Sequence, residues 1–185
     1  DYFLQCFSKK DTLILMDPIM GDNGKIYSFI NEENVKDIIK LVKKADIITP
    51  NLTEACIILG RPYKENLNHS EIEEILISLS SLGPEKVIVT SVPGTGFIST
   101  YIYNKTDNRF GVIKGEKRPG SYPGTGDAYT ASLMAHLLNG CSLIDSAFKA
   151  TKLVEKGIDM IIKNGYNPME GLPLAEYLSG LKNRK

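Results

Sequence analysis

Residues 12–49 read TLILMDPIMGDNGKIYSFINEENVKDIIKLVKKADIIT. Thr12–Met16 is a short, continuous apolar run, which is typical of a β-strand buried on both faces. Within Asn31–Lys44 the apolar residues recur at helical spacing, with lysines on the opposite face. The segment Asp46–Thr49 is a second short run, with two isoleucines at its centre. This pattern predicts a strand, a helix and a second strand, the unit from which parallel sheets are built.

The rest of the chain continues this alternation and then departs from it. Lys86–Thr90 (KVIVT) predicts a third buried strand, whereas Phe97–Tyr103 and Arg109–Lys114 carry aromatic and β-branched residues on either side of a polar turn. The second pattern predicts an antiparallel hairpin. The remaining predictions are helices over Leu52–Leu59, Ile72–Leu79, Asp127–Leu138, Ser142–Lys163 and Pro173–Leu181, a polar loop at Asn66–Ser70, a helix end at Asp1–Phe7 and a frayed tail at Lys182–Lys185. The sequence therefore predicts one three-layer α/β domain over residues 1–185, with a mostly parallel sheet and an antiparallel edge hairpin.

Composition narrows the class of partner. The chain has 185 residues, 42% of them hydrophobic, and its 22 basic and 22 acidic side chains give a formal net charge of zero. This balance argues against nucleic acid, and no apolar run approaches the roughly 18 residues that would span a membrane. The three cysteines form no CxxC pair, which argues against a disulfide framework or a zinc site and favours a reducing cytoplasm. We therefore expect a small-molecule ligand.

Polar side chains follow each of the three strands that are predicted to be parallel. Asp17 and Asp22 follow the first strand, Thr49, Asn51 and Glu54 follow the second, and Thr90 and Ser91 end the third. The carboxyl ends of parallel strands lie at one edge of a sheet, where open α/β sheets bind their ligands. We therefore expect these side chains to converge on one site.

A loop rich in glycine and proline, Ser121–Asp127 (SYPGTGD), runs directly into the helical segment Ala128–Leu138. Glycine lets the backbone approach a ligand closely, and the unpaired N–H groups of a helix start favour an anion such as phosphate. A Thr and an Asp at this point are also typical of an ordinary helix cap. From the loop alone, both interpretations stay open.

Taken together, the loop and the strand ends carry the groups that phosphoryl transfer needs. Backbone N–H groups can stabilise the developing charge, and carboxylates can hold a divalent metal. One further carboxylate must orient and deprotonate the accepting hydroxyl group. Because Asp127 lies where the loop meets the helix, it is the candidate for that last role.

Four separated motifs resemble, in order and spacing, those of ribokinase-superfamily enzymes, most closely the pyridoxal and pyridoxamine kinases. The motifs are Asp17–Gly21 (DPIMG) with Asp22, Ile48–Glu54 (ITPNLTE), Thr90–Ser91 and Gly124–Asp127 (GTGD). The resemblance covers Thr12–Leu138. It implies phosphorylation of the 5′-hydroxymethyl group of pyridoxal, pyridoxine or pyridoxamine, with ATP and Mg²⁺ as cofactors, a monovalent cation left open, and a homodimer as the complete protein.

The resemblance also implies a role for each matching residue. Asp127 corresponds to the catalytic base, and the N–H groups of Gly124, Thr125 and Gly126 correspond to the anion hole for the transferred phosphoryl group. The remaining roles concern metal and nucleotide: Asp17 and Asp22 near the metal and triphosphate, Asn51 and Glu54 organising magnesium and phosphate oxygens, Thr49, Thr90 and Ser91 on the ATP side, Val112–Pro119 near the adenine, and Tyr27 covering the nucleotide.

One departure from the family pattern concerns the start of the chain. Family members carry a further section before the position of Asp1, which holds sheet strands, the lid and most of the vitamin pocket. The chain begins without Met and without a signal peptide, so we expect an N-terminally truncated fragment or a processed chain. Such a polypeptide alone is expected to have an exposed sheet edge and little or no kinase activity.

Two alternatives remain beside a pyridoxal kinase. The first is a hydroxymethylpyrimidine kinase of thiamine synthesis, which is also ribokinase-like. That group often carries Cys in place of the Asp at position 127 and lacks the Gly21-Asp22 pair, so the resemblance favours pyridoxal. The second alternative is a non-catalytic nucleotide-binding or oligomerising remnant.

Overall fold

The computed structural model describes residues 12–182, so the predictions for Asp1–Phe7 and for residues 183–185 lie outside the described residues. The chain groups into two compact units. The first comprises the residues up to Val92 together with Tyr101–Phe110, and the second comprises Pro93–Thr100 together with the residues from Gly111 onwards. The single domain over residues 1–185 stays a prediction.

A five-stranded sheet carries the three strands that were predicted to be parallel. The strands, in chain order, are β1 (Leu15–Met16), β2 (Gly21–Asp22), β3 (Lys25–Ile26), β4 (Ile47–Ile48), β5 (Lys86–Pro93), β6 (Phe97–Asn104) and β7 (Arg109–Glu116). The order in the sheet is β1-β4-β5-β6-β7, and both the β1–β4 and the β4–β5 pairs are parallel. The strand-helix-strand prediction is therefore confirmed.

The first two parallel strands are shorter than the sequence predicts, for a local reason. The Asp46 carboxylate accepts a hydrogen bond from Ile14 N at 2.7 Å, while Asp46 N donates to Ile14 O at 2.9 Å. The side chain thus completes the pairing next to β1, where a strand over Thr12–Met16 would have used the backbone. Ile47 and Ile48 are fully enclosed, as the apolar run predicts.

The predicted hairpin closes the other end of the sheet. β6 and β7 are joined by residues 105–108, a connection that is too short for anything but antiparallel neighbours. Within this hairpin Tyr103 Oη donates to Asn108 Oδ1 at 3.1 Å, and Asn108 has a positive φ of 51°. The predicted α/β fold with a mostly parallel sheet and an antiparallel edge is confirmed.

A second, smaller hairpin was not predicted. β2 and β3 pair in the segment between β1 and α1, for which the sequence analysis predicts no strand, with Gly21 opposite Ile26 and Asp22 opposite Lys25. Asn23 and Gly24 form the turn, and both have positive φ values, of 50° and 74°. Asn-Gly is the preferred pair for such a two-residue turn, so the signal was present in the sequence.

Six α-helices lie in the described part of the chain. Their bounds are α1 (Glu32–Val42), α2 (Leu52–Leu59), α3 (His69–Ser80), α4 (Thr125–Leu138), α5 (Leu143–Asn164) and α6 (Leu174–Lys182), with a 3₁₀ turn at Pro168–Glu170. The start of α3 falls inside the predicted loop Asn66–Ser70, because Asn68 caps it and Glu71 completes the capping box. α4 begins at Thr125, two residues before its predicted start. Among residues 12–182, no helix is both long and apolar enough to cross a bilayer.

Each unit has its own packed helices. In the first unit, α1 packs on α2 and α2 packs on α3, around an apolar cluster that includes Met20, Leu52, Leu76 and Val87. In the second unit, α4 and α5 pack along each other, and Leu133, Ala147 and Ala150 are buried there. The small alanines let two helices approach closely, which fixes the orientation of α4 on α5.

Candidate active site

The N-terminus of α2 is closed by its own side chains. Asn51 lies at the N-cap in an extended conformation, and its Oδ1 accepts from Glu54 N at 2.9 Å. In return, Asn51 N donates to Glu54 Oε2 at 2.8 Å. This is a complete capping box, which satisfies two of the N–H groups that a helix start otherwise leaves open.

The same residues fasten the β2–β3 hairpin to α2. Glu54 Oε1 accepts from Met20 N at 3.0 Å, and Asn51 Nδ2 donates to Gly21 O at 2.8 Å. A third bond runs from Gly24 N to Thr53 Oγ1, at 2.9 Å. Met20, Gly21 and Thr53 lie inside the quoted motifs, but the sequence analysis gave them no role, because the first two act through backbone atoms and the third through a bond to the backbone of Gly24.

Burial changes the acid strength of Glu54. The residue is 4% exposed, and this loss of solvent raises the pKa of its carboxyl group from 4.5 to about 7. The hydrogen bonds from the backbone at Asn51, Met20 and Gly21 favour the ionised form and oppose the shift, whereas the charge of Asp17 adds to it. Desolvation is the largest of these effects, as expected for an enclosed carboxylate.

Asp22 and Tyr27 lie on the hairpin and its continuation. Asp22 is exposed, and its carboxylate accepts from Asn23 N at 2.8 Å and from Asn23 Nδ2 at 2.9 Å. Tyr27 N donates to Met20 O, and its ring stacks on Phe29, which is 71% exposed. Partial burial, followed by the charges of Asp22, Glu54 and Asp17, raises the pKa of the Tyr27 phenol. The charges of three acidic side chains therefore all act on the Tyr27 phenol.

Of the residues predicted for the ATP side, Thr49 follows β4, whereas Thr90 and Ser91 lie within β5, which runs on to Pro93 and is longer than the predicted strand. Thr49 is 3% exposed, and its N–H donates to Met16 O at 3.1 Å. Thr90 N donates to Pro50 O at 2.9 Å, so Thr90 lies beside Asn51 in a parallel bridge. Ser91 is exposed and has a φ of 56°, which is unusual for a non-glycine residue. The ends of the three parallel strands thus meet around Asn51, although the roles of these residues stay predictions.

The N-terminus of α4 is open. Gly124 is the N-cap residue in the left-handed conformation, with a φ of 78°, and no side chain caps the helix. The first helical bond runs from Ala128 N to Gly124 O. The N–H groups of Thr125, Gly126 and Asp127 consequently have no carbonyl partner within the helix. The open donors therefore extend to Asp127, one residue beyond the Gly124–Gly126 set that the family resemblance implies.

Asp127 combines two properties in the second unit. Its side chain is exposed, and it lies in the first turn of α4, next to the open N–H groups. The loop before it is held by Tyr122, whose hydroxyl donates to Pro119 O at 2.7 Å. A carboxylate and three unpaired N–H donors thus stand together, which provides a proton acceptor beside a place for an anion.

The described carboxylates do not form a closed metal cage. No group of three or more His, Cys, Asp or Glu side chains that could hold an ion occurs within the range 12–182. Both oxygens of Glu54 already accept backbone N–H groups, whereas Asp22 is exposed. Mg²⁺ usually binds through one or two carboxylates together with substrate phosphates, a pattern that Asp22 fits. The metal roles of Asp22 and Glu54 stay predictions.

Comparison with known proteins agrees with this architecture. A hydroxymethylpyrimidine/phosphomethylpyrimidine kinase of Aquifex aeolicus is 28% identical over 175 residues, covering 92% of this chain and 64% of that protein. A pyridoxal kinase of Arabidopsis thaliana is 30% identical over 165 residues, covering 82% of this chain and 51% of that protein. The chain therefore spans between half and two thirds of the length of these relatives.

A solved structure and a family model give the same result. The structure, from Bacteroides thetaiotaomicron, is described as a phosphomethylpyrimidine kinase in a crystal form with pyridoxal. It matches with a TM-score of 0.92 at 38% identity, covering 98% of this chain and 64% of that one. The model of the phosphomethylpyrimidine kinase family matches residues 2–170. The ribokinase-like resemblance is thereby confirmed, and the chain belongs to the phosphomethylpyrimidine kinase family.

Proposed function

We propose that this chain carries the ATP-binding and catalytic part of a kinase that phosphorylates the 5′-hydroxymethyl group of pyridoxal, pyridoxine or pyridoxamine. The observation that carries the proposal is the start of α4, where the exposed Asp127 carboxylate adjoins the unpaired N–H groups of Thr125 and Gly126. Phosphoryl transfer to an alcohol needs this combination of base and anion site.

In the proposed reaction, the Asp127 carboxylate takes the proton of the substrate hydroxyl group. The hydroxyl oxygen then forms a bond to the γ-phosphorus of ATP, and the bond between that phosphorus and the β,γ-bridging oxygen breaks. The open N–H groups at the start of α4 take up the negative charge of the phosphoryl group during transfer. No other described group at this helix start is a carboxylate, so the role of base rests on Asp127.

The first unit supplies the residues proposed for nucleotide and metal. Magnesium, when bound with the nucleotide, would neutralise phosphate charge, and Asp22 is the exposed carboxylate that we assign to it. Asn51 and Glu54 keep the β2–β3 hairpin, and with it Asp22, on the start of α2. Asp17, Thr49, Thr90 and Ser91 are proposed to line the ATP side, since the first two directly follow β1 and β4 and the last two lie in the C-terminal half of β5.

The proposal also names the substrate that accepts the phosphoryl group, for which there are two candidates. Pyridoxal is favoured by the Asp at position 127 and by the Bacteroides thetaiotaomicron structure with pyridoxal. Hydroxymethylpyrimidine is the second candidate, because the Aquifex aeolicus relative is named a hydroxymethylpyrimidine/phosphomethylpyrimidine kinase and the family model is that of phosphomethylpyrimidine kinase. Both acceptors present a hydroxymethyl group on a flat heteroaromatic ring, so the same base and anion site would serve either.

A direct assay separates the two acceptors. The complete polypeptide encoded by the gene is supplied with Mg-ATP and either pyridoxal or hydroxymethylpyrimidine, and the phosphorylated product is measured by mass spectrometry. The proposal expects a kcat/KM for pyridoxal at least about tenfold above that for the pyrimidine, a preference of about 1.4 kcal/mol. The opposite ranking would replace the proposed acceptor with the pyrimidine.

A second measurement tests whether the chain is a catalyst at all. Calorimetric titration with Mg-ATP is carried out on the wild-type protein and on Asp127→Asn, beside the turnover assay. We expect both proteins to bind nucleotide and only the wild type to turn over. Binding in both proteins without turnover in either, with every acceptor tried, would favour the non-catalytic nucleotide-binding remnant.

A further inference from the structure

Arg118 lies in the segment between β7 and the loop Ser121–Asp127, and each of its three guanidinium nitrogens donates a hydrogen bond. Nε and Nη2 donate to the two carboxylate oxygens of Asp159 on α5, at 2.9 and 3.0 Å. Nη1 donates to Glu116 O at 3.0 Å, and the side chain is only 15% exposed. A two-point bond between a guanidinium and a carboxylate fixes direction as well as distance.

A second acidic side chain supports this pair. Glu155, one helical turn before Asp159 on α5, lies 3.7 Å from Arg118 Nη1 and is 14% exposed. Lys152 Nζ donates to the other carboxylate oxygen of Glu155, Oε2, at 2.6 Å. Gly115 makes the space for this arrangement, since a Cβ added there would lie 2.8 Å from Glu155 Oε1. The surroundings of Arg118 are therefore shaped around its charge.

The loop between Arg118 and α4 is anchored on α5 at both ends. Arg118 fastens the N-terminal end through Asp159, and α4, which continues the loop at Thr125, packs along the same helix. Between these anchors, Gly120 and Gly124 have positive φ values of 101° and 78°. Glycine loses much conformational freedom when it is held in one conformation, so an unanchored loop of this composition would sample many others.

We infer that Arg118 is a positioning residue, which through Asp159 holds the loop Ser121–Asp127 in the conformation that receives the transferred phosphoryl group. The inference rests on the proposed kinase function. The physical basis is preorganisation, because a loop ordered before binding does not spend binding free energy on being ordered. Arg118 would act on the reaction only through the loop, without contact to either substrate.

The test compares Arg118→Gln with Arg61→Gln in the complete protein. Arg61 is a matched control, since it also donates to a carboxylate, that of Glu74 at 2.8 Å, but lies far along the chain in the first unit. For Arg118→Gln we expect kcat to fall and the KM for ATP to rise, each by about tenfold, with the acceptor KM unchanged. Arg61→Gln should leave all three constants within about twofold.

Hydrogen exchange supplies a readout that does not depend on turnover. In Arg118→Gln the amides of the first hydrogen-bonded turn of α4, Ala128 to Ala131, into which the loop leads, should exchange at least about tenfold faster, whereas those in the middle of α5 keep wild-type protection. Arg118→Lys keeps the charge without the two-point bond, so it should restore part of the protection. Asp159→Asn keeps one acceptor and serves as a milder second variant if Arg118→Gln does not fold.

The outcomes separate the inference from the proposed function. Equal exchange of Ala128 to Ala131 and equal kinetic constants in Arg118→Gln and Arg61→Gln would overturn the positioning role. Faster exchange throughout the second unit, with every kinetic constant unchanged, would reduce the pair to a structural ion pair and would also overturn it. A wild-type protein that phosphorylates no hydroxymethyl acceptor would refute the proposed function, while the exchange of Ala128 to Ala131 would still decide whether Arg118 holds the loop where it enters α4.

Discussion

Two helices of this protein follow segments with predicted functional residues, yet they begin in opposite ways. At α2, the side chains of Asn51 and Glu54 satisfy each other's backbone N–H groups, and the carboxylate is enclosed. At α4, Gly124 offers no side chain, the first N–H groups stay open, and the Asp127 carboxylate faces solvent. Both helices carry an acidic residue at the third helical position.

The carboxylates of Glu54 and Asp127 differ in whether they accept hydrogen bonds from the backbone. Glu54 accepts from two backbone N–H groups and holds a hairpin, so it is tied to the fold. Asp127 has the same position in its helix, but its side chain is exposed and no side chain caps that helix. An acidic residue in a first turn is therefore structural when the cap is filled, and available for chemistry when the cap is missing.

The largest expected effect concerns the open helix start. Asp127→Asn should lower kcat by about 10³-fold, because the amide cannot accept the hydroxyl proton, while the stability of the fold changes little. Steady-state kinetics beside urea unfolding would measure both. If the variant kept wild-type turnover, the contrast between the two carboxylates would lose its functional meaning.

The second-largest effect is expected at the capped start of α2, where the free energy of unfolding should depend on pH. The folded pKa of Glu54 is raised from 4.5 to about 7, so the folded state binds the proton more tightly than the unfolded chain. The associated stability is fully present below pH 4.5 and is lost as pH rises through about 7, by about 3 kcal/mol in all. Urea unfolding from pH 4.5 to 8 in a chelating buffer should show this decline in the wild type relative to Glu54→Gln, which does not titrate. Parallel pH profiles for the two proteins would contradict the assignment.

A smaller effect is expected at the cap residue itself. Asn51→Ala removes both the bond to Glu54 N and the bond to Gly21 O, and should lower the free energy of unfolding by about 2 kcal/mol. Asn68→Ala is the matched control, because Asn68 forms the same capping box at α3 without holding a hairpin. Its loss should be about 1 kcal/mol. Equal losses would show that fastening the hairpin adds nothing to the cap.

The smallest effect is expected at Gly124. An added Cβ meets no atom within 4 Å, so the cost of Gly124→Ala comes from its φ of 78° alone, about 1 kcal/mol of stability. Gly126→Ala, inside the helix, should instead be neutral or stabilising by up to about 1 kcal/mol. Thermal unfolding of both variants checks the prediction, and a stable Gly124→Ala would mean that the loop tolerates another conformation.

The sequence was sufficient to predict the parallel strands of the sheet, because each of them lies in or contains a short apolar run. Lys86–Thr90 lies within β5, and the Asp46–Thr49 run contains β4, and these two strands pair in parallel. The bounds were less accurate, since a side chain such as that of Asp46 can replace a ladder bond. The hairpin at Gly21–Ile26 was not predicted although Asn23-Gly24 indicates its turn, because its strands are only two residues long and are too short to show an alternation of apolar and polar residues.

The polar side chains of the candidate site could be predicted from the sequence, whereas the backbone groups that they bind could not. Asn51 and Glu54 were predicted as residues of the site, but their hydrogen bonds to the backbone of Gly21 and Met20 link positions 30 and 34 residues apart. No side-chain pattern records such a bond. At α4 the Gly-Thr-Gly run suggested loop, whereas the helix already includes Thr125 and Gly126, which moves the open donors along by one residue.

The stacking of Tyr27 on Phe29 also has a spectroscopic consequence. The chain contains nine tyrosines and no tryptophan, so its intrinsic fluorescence comes from tyrosine alone. Phe29 is largely exposed and lies just beyond the hairpin that Asn51 and Glu54 hold. A single Phe29→Trp substitution would therefore place one distinct emitter beside that hairpin, and its emission could follow the hairpin in real time without any label.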